Sequence, residues 1–132
     1  MSGAEYGVRP QDIRRFLDEY GGGVETAVEI LTILTEDVPD RMERMRAAYE
    51  AGDLDVAAET THSLISSVGV LGNSCQTETI RELEKELRDR GVDNSGRLGS
   101  EVGRTIEHLE EEMETLLSAI EQVLPKVRTP RD

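Results

Sequence analysis

Residues 100–125, SEVGRTIEHLEEEMETLLSAIEQVLP, carry the strongest repeating pattern in the chain. Apolar side chains recur there at steps of three or four residues, at Val102, Ile106, Leu109, Met113, Leu116, Ile120 and Leu124. This spacing places one apolar stripe along one face of an α-helix and leaves polar residues on the other faces. The segment therefore predicts a long amphipathic helix that buries its stripe against other helices.

Four earlier segments show the same spacing and predict four more helices. The first is short and lies between Pro10 and the glycine run at 21–23. The second contains Pro39, and we expect a kink or a brief break near Asp37, because proline removes one backbone hydrogen bond. The four stripes are Ile13, Phe16, Leu17 and Tyr20; Val24, Val28, Leu31, Thr35, Val38, Met42, Met45 and Tyr49; Leu54, Ala57, Thr61, Leu64, Val68 and Leu71; and Ile80, Leu83 and Leu87.

Turn-forming and capping residues separate these segments. The predicted boundaries are helix ends at Gly52, Gly72 with Asn73, and Gly91, helix starts at Asp53 and at Asn73 or Ser74, and a loop at 92–99, VDNSGRLG. No alternating pattern typical of strands competes with the helices. The sequence predicts an all-α fold, an antiparallel four-helix bundle with a short additional N-terminal helix over one end. We expect an N-terminal segment at 1–23, the bundle at 24–125 and a frayed tail at 126–132.

Composition restricts the partners of this chain. It has 132 residues, of which 28 are acidic and 15 are basic, with a formal net charge of −13. Binding to nucleic acid or to an anionic membrane needs clustered cations, so both are disfavoured. No apolar run approaches the roughly 20 residues of a membrane span, and no signal peptide is evident, so a cytoplasmic protein is expected. Cys75 is the only cysteine, which excludes an intramolecular disulfide and a CxxC motif.

Residues 61–73, THSLISSVGVLGN, contain the candidate reactive side chain, His62. On a helix, His62 lies roughly 100 to 130° from the centre of the apolar stripe, at the edge of the solvent face. Ala58, Ser66 and Gly69 flank it at helical spacing and are too small to cover the imidazole. Glycine inside a helix costs about 0.5 to 1 kcal/mol relative to alanine, so Gly69 requires a compensating reason. Close approach of another molecule is one such reason, and close packing of a neighbouring helix is the other.

The same residues resemble the signature of histidine-containing phosphotransfer (Hpt) domains, in which a leucine, a lysine, a glycine and a serine follow the histidine. His62, Leu64, Ser67, Leu71 and Gly72 fall on that signature in register. Residues 36–64 are similar to the family's usual approach to the histidine, with an acidic residue and a proline followed by a Gly-Asp helix junction. The resemblance covers about 24–124.

The resemblance implies a phosphocarrier in a two-component phosphorelay. His62 would accept a phosphoryl group from an aspartyl phosphate on a response-regulator receiver domain and pass it to another receiver. A hybrid histidine kinase is a further candidate partner. The chain itself would need no cofactor or metal, since Mg²⁺ is expected on the receiver, and it would not be an enzyme, because no P-loop or kinase-type glycine loop is present.

Two positions depart from the family signature. Ile65 stands where the family has a lysine that is implied to steady the phosphoryl group, and Ser66 stands where it has a glycine. Cations from the next helix could replace the lysine, because antiparallel pairing places residues near position 83 opposite His62. These cations are Arg81, Lys85 or Arg88. At least two of the three are expected instead to be solvated charges that pair with Glu82, Glu84 and Glu86. The residues expected to dock a receiver are Ala58, Ser66, Gly69 and Asn73.

Two other readings remain open at this point. The first is a non-catalytic acidic helical interaction module in which the phosphoacceptor function has been lost, as Ile65 would allow. The second is a di-iron centre, because Glu59-Thr-Thr-His62 has the Glu-x-x-His spacing of such bundles. A di-iron centre needs two of these motifs, and the only other histidine, His108, has Thr105 at the corresponding position.

Overall fold

A computed structural model describes residues 8–71, 74–90 and 97–128, with side chains described within 8–71, 77–89 and 101–124. These residues form helices and no strand, which confirms the predicted all-α class. The helices are α1 (Pro10–Glu19), α2 (Val24–Glu50), α3 (Leu54–Gly69), α4 (Ser74–Arg90) and α5 (Arg97–Arg128).

The four long helices form the predicted bundle, in which α2, α3, α4 and α5 each pack against two neighbours in a closed ring. Contacts between α4 and α5 show their antiparallel direction, because Thr79 bonds Glu112 whereas Glu86, farther along α4, lies near Thr105 and Glu101, closer to the start of α5. The short helix α1 packs on α2 and α5. The limits proposed for the bundle, 24–125, remain a prediction.

One aliphatic core runs through all five helices. The predicted stripes supply most of it, with Val24 as an exception that is 53% exposed. The buried face of α2 begins instead at Ala27. The largest fully buried side chains are Ile13, Leu31, Met45, Leu64, Ile80, Leu83, Leu87, Ile106, Leu109, Met113, Leu116 and Ile120.

Two prolines lie inside helices rather than ending them. The helix α2 runs unbroken through Pro39, so the brief break expected near Asp37 is absent, and the alternative, a kink there, stays a prediction. Proline keeps a helical φ and removes only one hydrogen bond, and the buried side chains of Val38 and Met42 hold the helix on the core beyond that point. Likewise α5 passes Pro125 and reaches Arg128, three residues into the segment predicted as a frayed tail.

Most helix boundaries follow the predicted capping residues. Asp53 caps α3, since its Oδ1 accepts a hydrogen bond from the Val56 amide at 3.4 Å, and Gly52 has the positive φ of +82° that favours glycine. The helix α3 ends at Gly69, so Leu71 lies just beyond it. The predicted turns at 72–73 and 91–96 lie outside the described residues. Residues 97–99 belong to α5, although the sequence predicts a loop through 99.

Candidate functional site

The helix α3 holds His62 although it is rich in hydroxyl side chains. Three of these hydroxyls donate to carbonyls of their own helix: Thr60 to Val56 at 2.8 Å, Thr61 to Ala57 at 2.8 Å, and Ser63 to Thr60 at 2.6 Å. Thr61 is fully buried, and this bond satisfies its polar atom. The helix can therefore bury Thr61 in the core without leaving the hydroxyl unpaired.

His62 lies on the solvent side of α3, as its spacing from the apolar stripe predicts. Its side chain is 62% exposed. Thr61, one position before it, and Leu64, two positions after it, lie on the core face and are fully buried. An imidazole with this exposure can be reached by a large partner without any rearrangement of the bundle.

A carboxylate on α4 holds the imidazole in one orientation. The Nδ1 atom of His62 lies 2.9 Å from Oε1 of Glu84. The other oxygen of that carboxylate accepts from the guanidinium of Arg88, with Nε and Nη2 both at 2.9 Å. Glu84 is thus a bridge between His62 on α3 and Arg88 on its own helix, and its side chain is only 17% exposed.

The ionisation of Glu84 fixes the tautomer of His62. Burial raises the pKa of the Glu84 carboxyl, but hydrogen bonds and charge from His62 and Arg88 outweigh burial and hold that pKa below its ordinary value. An ionised carboxylate can only accept hydrogen bonds, so the proton of the neutral ring is on Nδ1, which donates to Glu84. The lone pair of Nε2 is then available, and no described residue bonds that nitrogen.

A second polar contact ties α3 to α2 on the side away from Glu84. Ser67 donates from Oγ to Oδ2 of Asp37 at 2.9 Å, and Arg41 donates from Nε to the same oxygen at 2.6 Å. Burial raises the pKa of Asp37, but the two hydrogen bonds and the nearby guanidiniums lower it by more. The acidic residue before Pro39 therefore anchors the helix that carries His62.

The small residues expected around His62 are divided between core and surface. Ala58 is fully buried, so it cannot contact a partner, and its inclusion in the docking surface was wrong. Ser66 and Gly69 are exposed. A Cβ built on Gly69 meets nothing within 4 Å, so no neighbouring helix packs closely there. Asn73, the fourth expected docking residue, lies outside the described residues.

The expected replacement cations differ in their surroundings. Arg88 reaches the site through Glu84, whereas Arg81 and Lys85 are exposed and form no ion pair among the described side chains. Ile65, which occupies the position of the family's lysine, packs partly buried against the core. The structure therefore places one cation, Arg88, within the hydrogen-bonded network of His62.

Glu59 and His62 do not belong to a metal-binding cluster in the described part of the chain. No three side chains of His, Cys, Asp or Glu among those residues lie close enough together to hold a metal ion. The second histidine, His108, is 57% exposed and lies 3.1 Å from Glu112. His108 therefore contacts a carboxylate of its own helix, α5, and not Glu59 or His62.

The geometry around His62 agrees with what a comparison of the whole chain shows. A family model described as the Hpt domain matches residues 29–122. The chain belongs to the Hpt domain family. That match includes the whole of α3 and α4, and hence His62, Glu84 and Arg88. No curated protein and no solved structure matches the chain.

Membership of the Hpt domain family gives a general function. Hpt domains relay phosphoryl groups through a histidine in two-component signalling, and their partners are receiver domains. None of the helices in the described residues is apolar over a length that could cross a membrane.

Sequence reasoning missed Glu84 in this Hpt domain. Antiparallel pairing places α4 residues near position 83 beside His62, and Glu84 was expected there only as a solvated partner of the neighbouring cations. Arg88 does donate to Glu84. The contact between Glu84 and the imidazole was not predicted, although the same register brings the two side chains together.

Proposed function

We propose that this Hpt domain is a phosphocarrier whose phosphoacceptor is Nε2 of His62. The single observation that carries the proposal is the contact between Nδ1 of His62 and Glu84, which leaves Nε2 unprotonated at an exposed position. The donor is the aspartyl phosphate of a receiver domain, and a second receiver is the acceptor. Mg²⁺ would be bound by the receiver.

The transfer exchanges one bond for another without an added reactant. The lone pair on Nε2 attacks the phosphorus, an Nε2–P bond forms, and the P–O bond to the receiver's aspartate breaks. The carboxylate leaves on the receiver. The reverse of this step transfers the phosphoryl group to the next receiver. Such a reaction depends on positioning and on charge neutralisation more than on covalent assistance.

Glu84 and Arg88 assist this step through the ring and not through the phosphoryl group. As the Nε2–P bond forms, positive charge develops on an imidazole that keeps its Nδ1 proton, and the Glu84 carboxylate stabilises that charge. Arg88 offsets the negative charge of Glu84, which reduces repulsion between this carboxylate and the incoming phosphoryl group. No charged side chain has to move for the attack to occur.

The test is transfer of label from a phosphorylated receiver domain. Wild-type protein should gain acid-labile, alkali-stable label, as a phosphohistidine does. The variant His62→Gln should remain folded, because an exposed side chain adds little to the core, and should gain none. His108→Gln is the matched control and should label like wild type.

Two outcomes would contradict the proposal. Label on folded His62→Gln would show that another residue accepts the phosphoryl group. Absence of label on wild type with every receiver tested would favour the helical interaction module that Ile65 leaves open.

A further inference from the structure

The exposed face of α3 presents a single row of residues with His62 at its centre. Asp55, Glu59, His62, Ser66 and Gly69 follow one another at steps of three or four residues, and all five are exposed. At that spacing, residues share one face of a helix. We refer to these five residues as the α3 row.

The two halves of the α3 row differ in charge. Asp55 and Glu59 precede His62 and have no ion pair among the described side chains, while Ser66 and Gly69 follow it and are uncharged. The helix α3 contains no lysine or arginine. Arg88 is level with Glu59 by the same antiparallel register, but its guanidinium is bound to Glu84 and forms no ion pair with Asp55 or Glu59.

The neighbouring helix increases this difference. Because α4 is antiparallel to α3 and Glu84 lies beside His62, Arg81 is level with the uncharged half of the row. Arg81 is exposed and forms no ion pair among the described side chains. The surface around His62 is therefore acidic on one side and neutral to basic on the other. At Gly69 the surface also has open space where a Cβ would project.

We propose that the α3 row admits a receiver domain in one orientation, with lysine or arginine side chains of the receiver over Asp55 and Glu59 and an uncharged surface over Gly69. The inference rests on the proposed function. A receiver brings a phosphoryl group and an aspartyl carboxylate to His62, and these anions are repelled by two unpaired carboxylates one and two turns away. Cations of the receiver on that side remove the repulsion, whereas the reversed orientation would place them beside Arg81.

The test compares charge changes on the row with equal changes elsewhere. The probe is the phosphorylated receiver domain that labels wild-type protein fastest among those encoded in the same genome. The double variant Asp55→Asn/Glu59→Gln is compared with Glu107→Gln/Glu111→Gln on α5, whose described residues do not pack on those of α3. Each pair removes two negative charges, and all four side chains are exposed. Folding is checked by circular dichroism.

The variant Asp55→Asn/Glu59→Gln should label about three- to tenfold more slowly than wild type at low salt, because local charge steers the receiver domain and orients it on the α3 row. The control variant should match wild type, and the difference should shrink as salt screens the charges. Glu59→Lys should slow labelling further, whereas Glu107→Lys should not. Equal slowing by row and control variants, or no slowing by either, overturns the proposal while wild-type labelling still supports the phosphocarrier. Failure of wild type to label would overturn both.

Discussion

Glu84 bonds Nδ1 of His62, so in the proposed function Glu84 leaves Nε2 to accept the phosphoryl group. Replacing Glu84 with alanine removes both the acceptor for Nδ1 and the charge that stabilises the ring. We expect Glu84→Ala to label about 10- to 100-fold more slowly than wild type, a loss typical of residues that orient a reactive imidazole. Glu84→Gln should lose less, because an amide oxygen still accepts from Nδ1. The measurement is the initial rate of label transfer at a fixed receiver concentration.

The control for this prediction is Glu82→Ala. Glu82 is on the same helix and exposed, so its removal changes net charge equally without touching His62. If Glu84→Ala labelled at the wild-type rate, the orientation of the imidazole would not depend on this carboxylate.

If His62 is phosphorylated as proposed, Ile65 leaves that state without the cation that the family signature has at this position. A lysine ammonium near a partly exposed phosphoryl group contributes on the order of 1 kcal/mol, because water screens most of the attraction. Ile65→Lys should therefore prolong retention of the label, or shift the exchange equilibrium toward it, by a factor of about five. Ile65 is half-buried, and a lysine can keep its stem against the core while its ammonium reaches solvent.

The variant Ile65→Met controls for the change in packing, since it alters shape without adding charge. Retention of label is followed over time for the three proteins at low and high salt. Equal retention in Ile65→Lys and Ile65→Met would mean that another cation already performs this role.

At the scale of helices, the contact between α4 and α5 contains a carboxyl group that is poorly accommodated when ionised. Glu112 is 6% exposed, and its Oε2 accepts from Thr79 at 3.2 Å and lies 3.1 Å from His108, while its Oε1 has no partner. Burial raises the pKa of Glu112 by more than the contacts with Thr79 and His108 lower it. Protonated Glu112 stabilises the folded protein at low pH. This stabilisation is lost as pH rises through the folded-state pKa of Glu112.

Glu112→Gln should therefore stabilise the protein at neutral and higher pH. An amide of the same shape removes the buried charge, and a gain of about 1 kcal/mol would raise the Tm by about 4 °C. The advantage should disappear as pH falls below the ordinary glutamate pKa, where the wild-type side chain is protonated in both states. Thermal unfolding from pH 4 to pH 8, with exposed Glu114→Gln as control, measures this difference. A variant less stable than wild type at pH 8 would contradict it.

The helices themselves could be predicted from the sequence because their buried apolar residues recur at steps of three or four residues. The stripe of α5 and the cap at Asp53 both reflect local rules, and both are found in the structure. The continuity of α2 through Pro39 could not be predicted in this way, since it depends on packing beyond the proline outweighing one missing hydrogen bond. Ala58 was misplaced for a similar reason: the angle on a helical wheel does not show how much of α3 the neighbouring helices cover.

The excess of acidic residues acts on the stability of the whole molecule. With a net charge of −13 on 132 residues, folding brings like charges together, and their repulsion disfavours the compact state. We expect the Tm to rise as NaCl increases from about 0.01 M to about 0.5 M, because the screening length falls over this range. An uncharged osmolyte at equal osmolality separates screening from solvent exclusion. A Tm that fell with added salt would contradict this expectation.

The position of α1 has a consequence for how the molecule opens. This helix contacts α2 and α5 and makes no helix contact with α3 or α4 in the described part of the chain, so the residues that hold His62 do not depend on it directly. Fluctuations that detach α1 need to break only its own packing, through Ile13 and Leu17. We therefore expect α1 to open before the other helices, although Ile13 and Leu17 belong to the shared core. Amide hydrogen exchange should then be faster in α1 than in α3 and α4, with the hydrogen bond between His62 and Glu84 still formed.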